Sequence, residues 1–114
     1  MYGLFNECKE LDYLDLSNFK TSNVTDMSFM FCSCIKLKQI KGINNFNTKS
    51  VTKFYRMFEE CNELEYLDLS NFETSNSTDM EAMFNKCIKL KEIKGLNKFN
   101  TNNVTNMYRM FQSC

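Results

Sequence analysis

The chain has 114 residues, and its 43% hydrophobic and 25% charged content is that of a folded globular domain rather than a disordered or fibrous chain. Its 14 basic and 14 acidic residues cancel, so it lacks the basic surface that a nucleic-acid partner requires. Because it has no histidine and only three glycines, imidazole acid-base catalysis and glycine-rich phosphate loops are excluded. No apolar run approaches the roughly 20 residues of a membrane-spanning helix, and Met1 to Lys9 lacks a secretory-signal pattern.

The chain repeats itself on two scales. Residues 9–61 and 62–114 match at about two-thirds of their positions. A shorter unit ends at a cysteine, and the spacing of these cysteines alternates between 26 and 27 residues: Cys8, Cys34, Cys61, Cys87 and Cys114. The extra residue of every second unit is Gly42 or Gly95. We therefore divide a single domain, residues 1–114, into a partial unit 1–8 and units 9–34, 35–61, 62–87 and 88–114.

The first part of each unit predicts a β-strand. Leu11, Leu14 and Leu16 follow the pattern L-x-x-L-x-L, in which the last two leucines lie two apart, as one face of an extended strand requires. The later units carry leucine or isoleucine at the same positions. Because one such unit cannot bury its apolar side alone, neighbouring units are expected to stack and join their strands in one parallel sheet.

The second part of each unit predicts a short helix. Met27, Met30, Phe31 and Cys34 stand at i, i+3, i+4 and i+7, which places them on one stripe of a helix. A threonine precedes each stripe and is a predicted N-cap: Thr25, Thr52, Thr78 and Thr105. The predicted fold is an α/β repeat, a leucine-rich-repeat solenoid with a short parallel sheet on one face and short helices on the other.

The regularly spaced cysteines have three readings. Metal binding and disulfides between neighbouring units are two of them, but the position of these thiols on the apolar stripe favours a column of buried free cysteines. Cys32 lies off the stripe and is expected to be more exposed than the rest. We predict no metal site, no cofactor and no catalytic residue.

The outward positions of the strands form the candidate protein-binding face. One column alternates in charge, and with strands about 4.8 Å apart each aspartate should neighbour a lysine: Asp15, Lys41, Asp68 and Lys94. The next column contains two tyrosines, which offer rigid area with a polar tip: Tyr13, Gln39, Tyr66 and Glu92. The alternative reading is that the charges only order the units and the tyrosines are plain surface.

One longer motif resembles a known family. The segment LDYLDLSNFKTSNVTDMSFMFCSC from Leu11 returns as LEYLDLSNFETSNSTDMEAMFNKC from Leu64, and it is similar to the repeat of BspA-type leucine-rich-repeat surface proteins. The resemblance covers essentially the whole chain. It implies display at a cell surface and adhesion to host or neighbouring-cell proteins, and it implies no enzyme activity.

We therefore expect a non-catalytic repeat module that binds an unidentified protein at a cell surface. One alternative is a structural protein that assembles end to end through its open units. Another is an intracellular repeat adaptor, favoured by the free thiols and by the lack of a signal in this chain. Because neither end of the chain resembles a polar capping repeat, we expect a fragment of a longer array, extracellular or surface-located if that longer chain is secreted.

Overall fold

The β-structure of the protein is confined to four short strands. A computed structural model describes residues 1–114, with β1 at Tyr13–Asp15, β2 at Gln39–Lys41, β3 at Tyr66–Asp68 and β4 at Glu92–Lys94. β1 pairs in parallel with β2, and β3 pairs in parallel with β4. The strands thus lie where the leucine pattern predicts them, but two separate two-stranded sheets replace the expected single sheet.

The chain after β2 and β4 needs a glycine. The 3₁₀ helices Ile43–Asn45 and Leu96–Lys98 begin there, preceded by Gly42 and Gly95 with φ of 80° and 88°. A Cβ on Gly95 would lie 2.4 Å from Cα of Ser70 in the preceding unit. The extra residue of the longer units is glycine because only glycine combines this left-handed backbone with so close an approach.

The segments predicted as helices are stacks of turns. In the segment 27–34, the N–H of Phe29 donates to the carbonyl of Tyr55 and that of Phe31 donates to the carbonyl of Met57, each at 2.9 Å. Phe29 and Ser33 have φ of 57° and 58°, in the left-handed region. An α-helix needs its N–H groups for carbonyls four residues back and needs right-handed dihedrals throughout, so it cannot form here.

The threonines predicted as N-caps have a different role. The hydroxyl of Thr52 donates to the carbonyl of Thr25 at 3.2 Å, and that of Thr78 donates to the carbonyl of Thr52 at 3.2 Å. Thr105 donates to Thr78 in the same way, at 3.1 Å. The capping prediction is wrong, because there is no α-helix to cap, and the hydroxyls of these three threonines join their units to the preceding ones.

The apolar positions of the predicted stripe do form the core. Phenylalanine rings stack from unit to unit, with centroids 5.3 Å apart between Phe31 and Phe58 and 5.7 Å apart between Phe58 and Phe84. The methionines directly before these three rings, Met30, Met57 and Met83, are also fully buried. The prediction that these residues hold the units together is confirmed.

The predicted fold class is wrong. The molecule is a small compact domain of 34 × 31 × 22 Å, with two small parallel sheets and no α-helix, rather than a leucine-rich-repeat solenoid with helices on one face. Spacings of three and four residues bring side chains to one side of a helix, but they do the same in a succession of tight turns. No helix in the structure has the length and apolar character needed to cross a membrane.

Candidate protein-binding face

The outward side chains of the four strands lie together on one surface, which we call the strand face. The register places Tyr13 beside Gln39 and Tyr66 beside Glu92. The two tyrosines are 46% and 47% exposed, so about half of each side chain is open to a partner. The strand face contains all eight predicted residues: Tyr13, Asp15, Gln39, Lys41, Tyr66, Asp68, Glu92 and Lys94.

The charged column of the strand face forms two ion pairs. Nζ of Lys41 lies 2.9 Å from Oδ2 of Asp15, and Nζ of Lys94 lies 3.3 Å from Oδ2 of Asp68. Lys41 and Asp68 make no ion pair, although they are neighbours in the column. Each aspartate does have a lysine neighbour, as expected, but the ladder is interrupted where β2 and β3 belong to different sheets.

Local hydrogen bonds fix the aspartate carboxylates. Oδ1 of Asp15 accepts the backbone N–H of Ser17 at 2.9 Å, and Oδ1 of Asp68 accepts that of Ser70 at 3.0 Å. Hydrogen bonds from Ser17 and then from Lys41 hold the pKa of Asp15 well below its usual range. Hydrogen bonds from Ser70 lower the pKa of Asp68. Both carboxylates therefore stay ionised at lower pH than an unperturbed aspartate does.

Two further columns extend the charge pattern beside the strands. They contain ion pairs between Lys36 and Glu10 at 2.7 Å and between Lys91 and Glu65 at 2.6 Å. We call these eight residues the charged edge: Glu10, Asp12, Lys36, Lys38, Glu63, Glu65, Lys89 and Lys91. The charged edge was not predicted, although acid and lysine alternate there at the same spacing of 26 or 27 residues.

The column of cysteines is a structural element of the core. Three of its thiols are fully buried and unpaired: Cys34, Cys61 and Cys87. Each donates to the carbonyl of a phenylalanine one unit back, for example Cys61 to Phe31 at 3.2 Å. Burial raises the pKa of Cys34 and of Cys87 to about 12. The buried column is confirmed for these three, whereas the first and last members are half-buried and exposed.

Cys32 is buried, and the prediction that it is exposed is wrong. It is only 7% exposed, and its Sγ lies 3.9 Å from Oε2 of Glu59, which is also buried. Glu59 accepts a hydrogen bond from Nδ2 of Asn85 at 2.7 Å and pairs with Nη1 of Arg56 at 3.3 Å. The helical assumption placed position 32 outside, but in the stacked turns it faces this polar cluster. Burial raises the pKa of the Cys32 thiol.

The surface beside the strands is polar and charged. No group of three or more cysteine, aspartate or glutamate side chains is arranged to hold a metal ion. A shallow depression beside the strands is lined mainly by the charged edge, including Glu10, Lys36 and Glu63, with Ile35 and Asn62. These ion-paired side chains offer hydrogen bonds and charge over a broad surface.

Comparison with known proteins gives one match. The family model described as "Mycoplasma protein of unknown function, DUF285" matches residues 1–114, the whole chain. No curated protein and no solved structure matches the chain.

Proposed function

The chain belongs to this family, DUF285, and we propose that it is a non-catalytic module that binds protein at a cell surface through its strand face. The observation that carries the proposal is the pair of half-exposed tyrosines, Tyr13 and Tyr66, on a face that also contains two ion pairs, Asp15 with Lys41 and Asp68 with Lys94. Its partner is a protein of unknown identity.

The arrangement of the two tyrosines suits recognition. Tyr13 and Tyr66 occupy the same position in β1 and β3, two units apart, so they lie roughly 10 Å from each other if successive units are about 4.8 Å apart. Short strands hold both backbones, so little conformational entropy is lost when a partner covers the rings. Tyrosine is also enriched among the residues that dominate binding energies.

The surface location rests on the resemblance of the LDLSNF-x-TSN motif to BspA-type surface proteins, which implies adhesion to host or neighbouring cells. The intracellular adaptor remains the alternative location, and end-to-end assembly remains an alternative role.

The test is binding of the fluorescently labelled chain to cultured epithelial cells, with and without prior trypsin treatment of the cells. We expect saturable binding that trypsin removes. Replacing both tyrosines, Tyr13→Ser with Tyr66→Ser, should weaken the affinity about tenfold or more, the loss typical of central interface aromatics.

The matched control is Tyr2→Ser with Tyr108→Ser, which removes two tyrosines that are more exposed but lie outside the strand face. This control should bind as the unaltered chain does. Equal loss in both double variants, or binding that survives trypsin, would contradict the proposal.

A further inference from the structure

The charges of the strand face and the charged edge alternate by unit. We number four rows by their residues: row 1 is 10–15, row 2 is 36–41, row 3 is 63–68 and row 4 is 89–94. In three columns the side chain is acidic in rows 1 and 3 and is lysine in rows 2 and 4. The acidic members are Glu10, Asp12, Asp15, Glu63, Glu65 and Asp68, and the basic members are Lys36, Lys38, Lys41, Lys89, Lys91 and Lys94.

We propose that this surface binds a second copy of itself, forming a symmetric dimer in which row 1 faces row 4 and row 2 faces row 3. The two-fold axis lies parallel to the strands and passes between β2 and β3. The inference rests on the proposed use of the strand face for binding and names its partner as another chain with the same charge pattern.

The alternation selects one orientation. A two-fold axis parallel to the strands reverses the order of the rows but keeps each column opposite itself, so every acidic row meets a lysine row. An axis along the stacking direction would place each row opposite itself and bring like charges together. Only the first arrangement makes all three columns complementary, which is what sets the register of a charged interface.

The dimer adds charge contacts that a single chain does not make. Lys38 has no ion pair within the chain, and row 3 of the other copy would bring Glu65 opposite it. Within the chain Lys41 pairs with Asp15 and Asp68 pairs with Lys94, and in the dimer Lys41 and Asp68 would also meet each other across the two-fold axis. Row 4 contains one further acid, Glu92, which would face the hydroxyl of Tyr13, a hydrogen-bond donor.

The size of the surface indicates a weak, salt-sensitive dimer. Four rows about 4.8 Å apart and six residues along the strand give a face of roughly 20 × 20 Å, or about 400 Å² on each copy. Transient complexes bury less than about 1,200 Å² in total, so the expected affinity is low. Because the contacts are mainly between exposed charges, dissolved salt should weaken them strongly.

The test is sedimentation velocity over a series of chain concentrations, in about 20 mM and about 500 mM NaCl. We expect a monomer–dimer equilibrium whose dissociation constant rises at least about tenfold at the higher salt concentration. Replacing both lysines of one column, Lys41→Glu with Lys94→Glu, should abolish the dimer because that column becomes wholly acidic.

Two controls separate this effect from loss of folding and from total charge. Exchanging the signs of the column, with Asp15→Lys, Lys41→Asp, Asp68→Lys and Lys94→Asp, retains the alternation, so this variant should dimerise with itself. It should dimerise less with the unaltered chain, as resonance energy transfer between labelled copies would measure. Lys20→Glu with Lys49→Glu makes the same net charge change outside the strand face and should leave dimerisation unaltered.

A monomer at every salt concentration would overturn the proposal, as would a salt-insensitive dimer or growth into open-ended polymers. Dimerisation of the Lys41→Glu, Lys94→Glu variant at the original affinity would overturn it too. The cell-binding assay distinguishes this failure from failure of the proposed function. If the chain stays monomeric but binds cells through Tyr13 and Tyr66, the dimer proposal fails and the proposed function stands. If the chain dimerises but does not bind cells, the proposed function fails and the dimer proposal stands.

Discussion

Each unit has a strand side, the segment from Leu11 to Leu16 and its counterparts, and a turn side, the segment from Met27 to Cys34 and its counterparts. The two sides are joined to neighbouring units differently. On the turn side, N–H groups donate to the next unit all along the chain, from Gly3 to Ser28 at 2.9 Å in the first pair of units and from Ala82 to Tyr108 at 2.8 Å in the last. On the strand side, the ladders join only β1 to β2 and β3 to β4. The difference follows the sequence: the M-x-x-M-F stripe is nearly the same in every unit, whereas the strand residues and the glycine alternate. Where the sequence is the same in every unit, the hydrogen bonds continue from unit to unit, and where it alternates, the strands join only in pairs.

The largest effect should come from interrupting the turn side at its middle ring. Phe58 is fully buried between two stacked rings, so Phe58→Ala should lower the free energy of unfolding by about 3–5 kcal/mol. Phe19→Ala, at a ring that is 37% exposed, should cost much less. Urea denaturation measures both, and equal losses would show that the stack has no special part in stability. If Phe58→Ala does not fold, Phe58→Leu can replace it and should still lower the free energy of unfolding by more than Phe19→Ala does.

The strand side depends on the glycine that lets the paired units approach. Gly95→Ala should destabilise the protein by about 2 kcal/mol or more, because a Cβ would meet the backbone of Ser70 and the residue has φ of 88°. Gly3→Ala is the matched control, since its φ is also positive, at 59°, but the nearest atom to an added Cβ is 3.8 Å away. The control should lose only about 1 kcal/mol. Equal losses would mean that the close approach is unimportant.

The backbone of the turn side can be tested at an exposed residue. Lys86 has φ of 60°, so Lys86→Gly should be more stable than Lys86→Ala by about 1 kcal/mol. In an α-helix alanine would instead be favoured over glycine by about 1 kcal/mol. Both variants lose the same ion pair with Glu60, so their difference in denaturation midpoint reports the backbone alone. A more stable alanine variant would restore the helical interpretation.

The smallest effect concerns the exposed ion pairs of the strand side. Hydrogen bonds lower the pKa of Asp15, Glu65 and Asp68 in the folded protein, so these groups bind protons less readily there than in the unfolded chain. Their contribution to stability is therefore present above the unfolded pKa values, near 4, and is lost as pH falls through the lower folded values. The melting temperature should decline over that range. The melting temperature of the double variant Asp15→Asn with Asp68→Asn should decline less over the same range. An identical profile would show that these two pairs contribute nothing to stability.

The positions of the strands and of the core residues could be predicted from the repeated sequence, but the backbone conformation between them could not. The leucine alternation located all four strands, and the stripe containing Met30, Phe31 and Cys34 was correctly assigned to the core. The helices were wrong because hydrophobic spacing records which side chains face inward, and tight turns satisfy the same spacing. The left-handed dihedrals at residues such as Phe29 and the hydrogen bonds to the neighbouring unit distinguish the two, and phenylalanine does not signal the left-handed conformation in a sequence.

The candidate face was predicted residue by residue, but its extent was not. Asp15 and Lys41 were recognised because they lie between the two closely spaced core residues of the leucine pattern, whereas the charged edge lies before the strands. The buried position of Cys32 could not be predicted, since it depends on Glu59, which lies 27 residues away in the chain. The binding role of the strand face stays a prediction.

The glycine found in every second unit restricts the deletions and duplications that a gene for this chain can undergo without disrupting the fold. Residues 9–61 and 62–114 are each one complete pair of units, so a deletion or duplication that exchanges whole pairs preserves the order of acid, lysine and glycine. Loss of a single unit would instead join two units of the same kind, with like charges side by side and with a glycine missing or misplaced. Inherited length variants of this sequence should therefore differ by whole pairs, and an odd number of units should be rare.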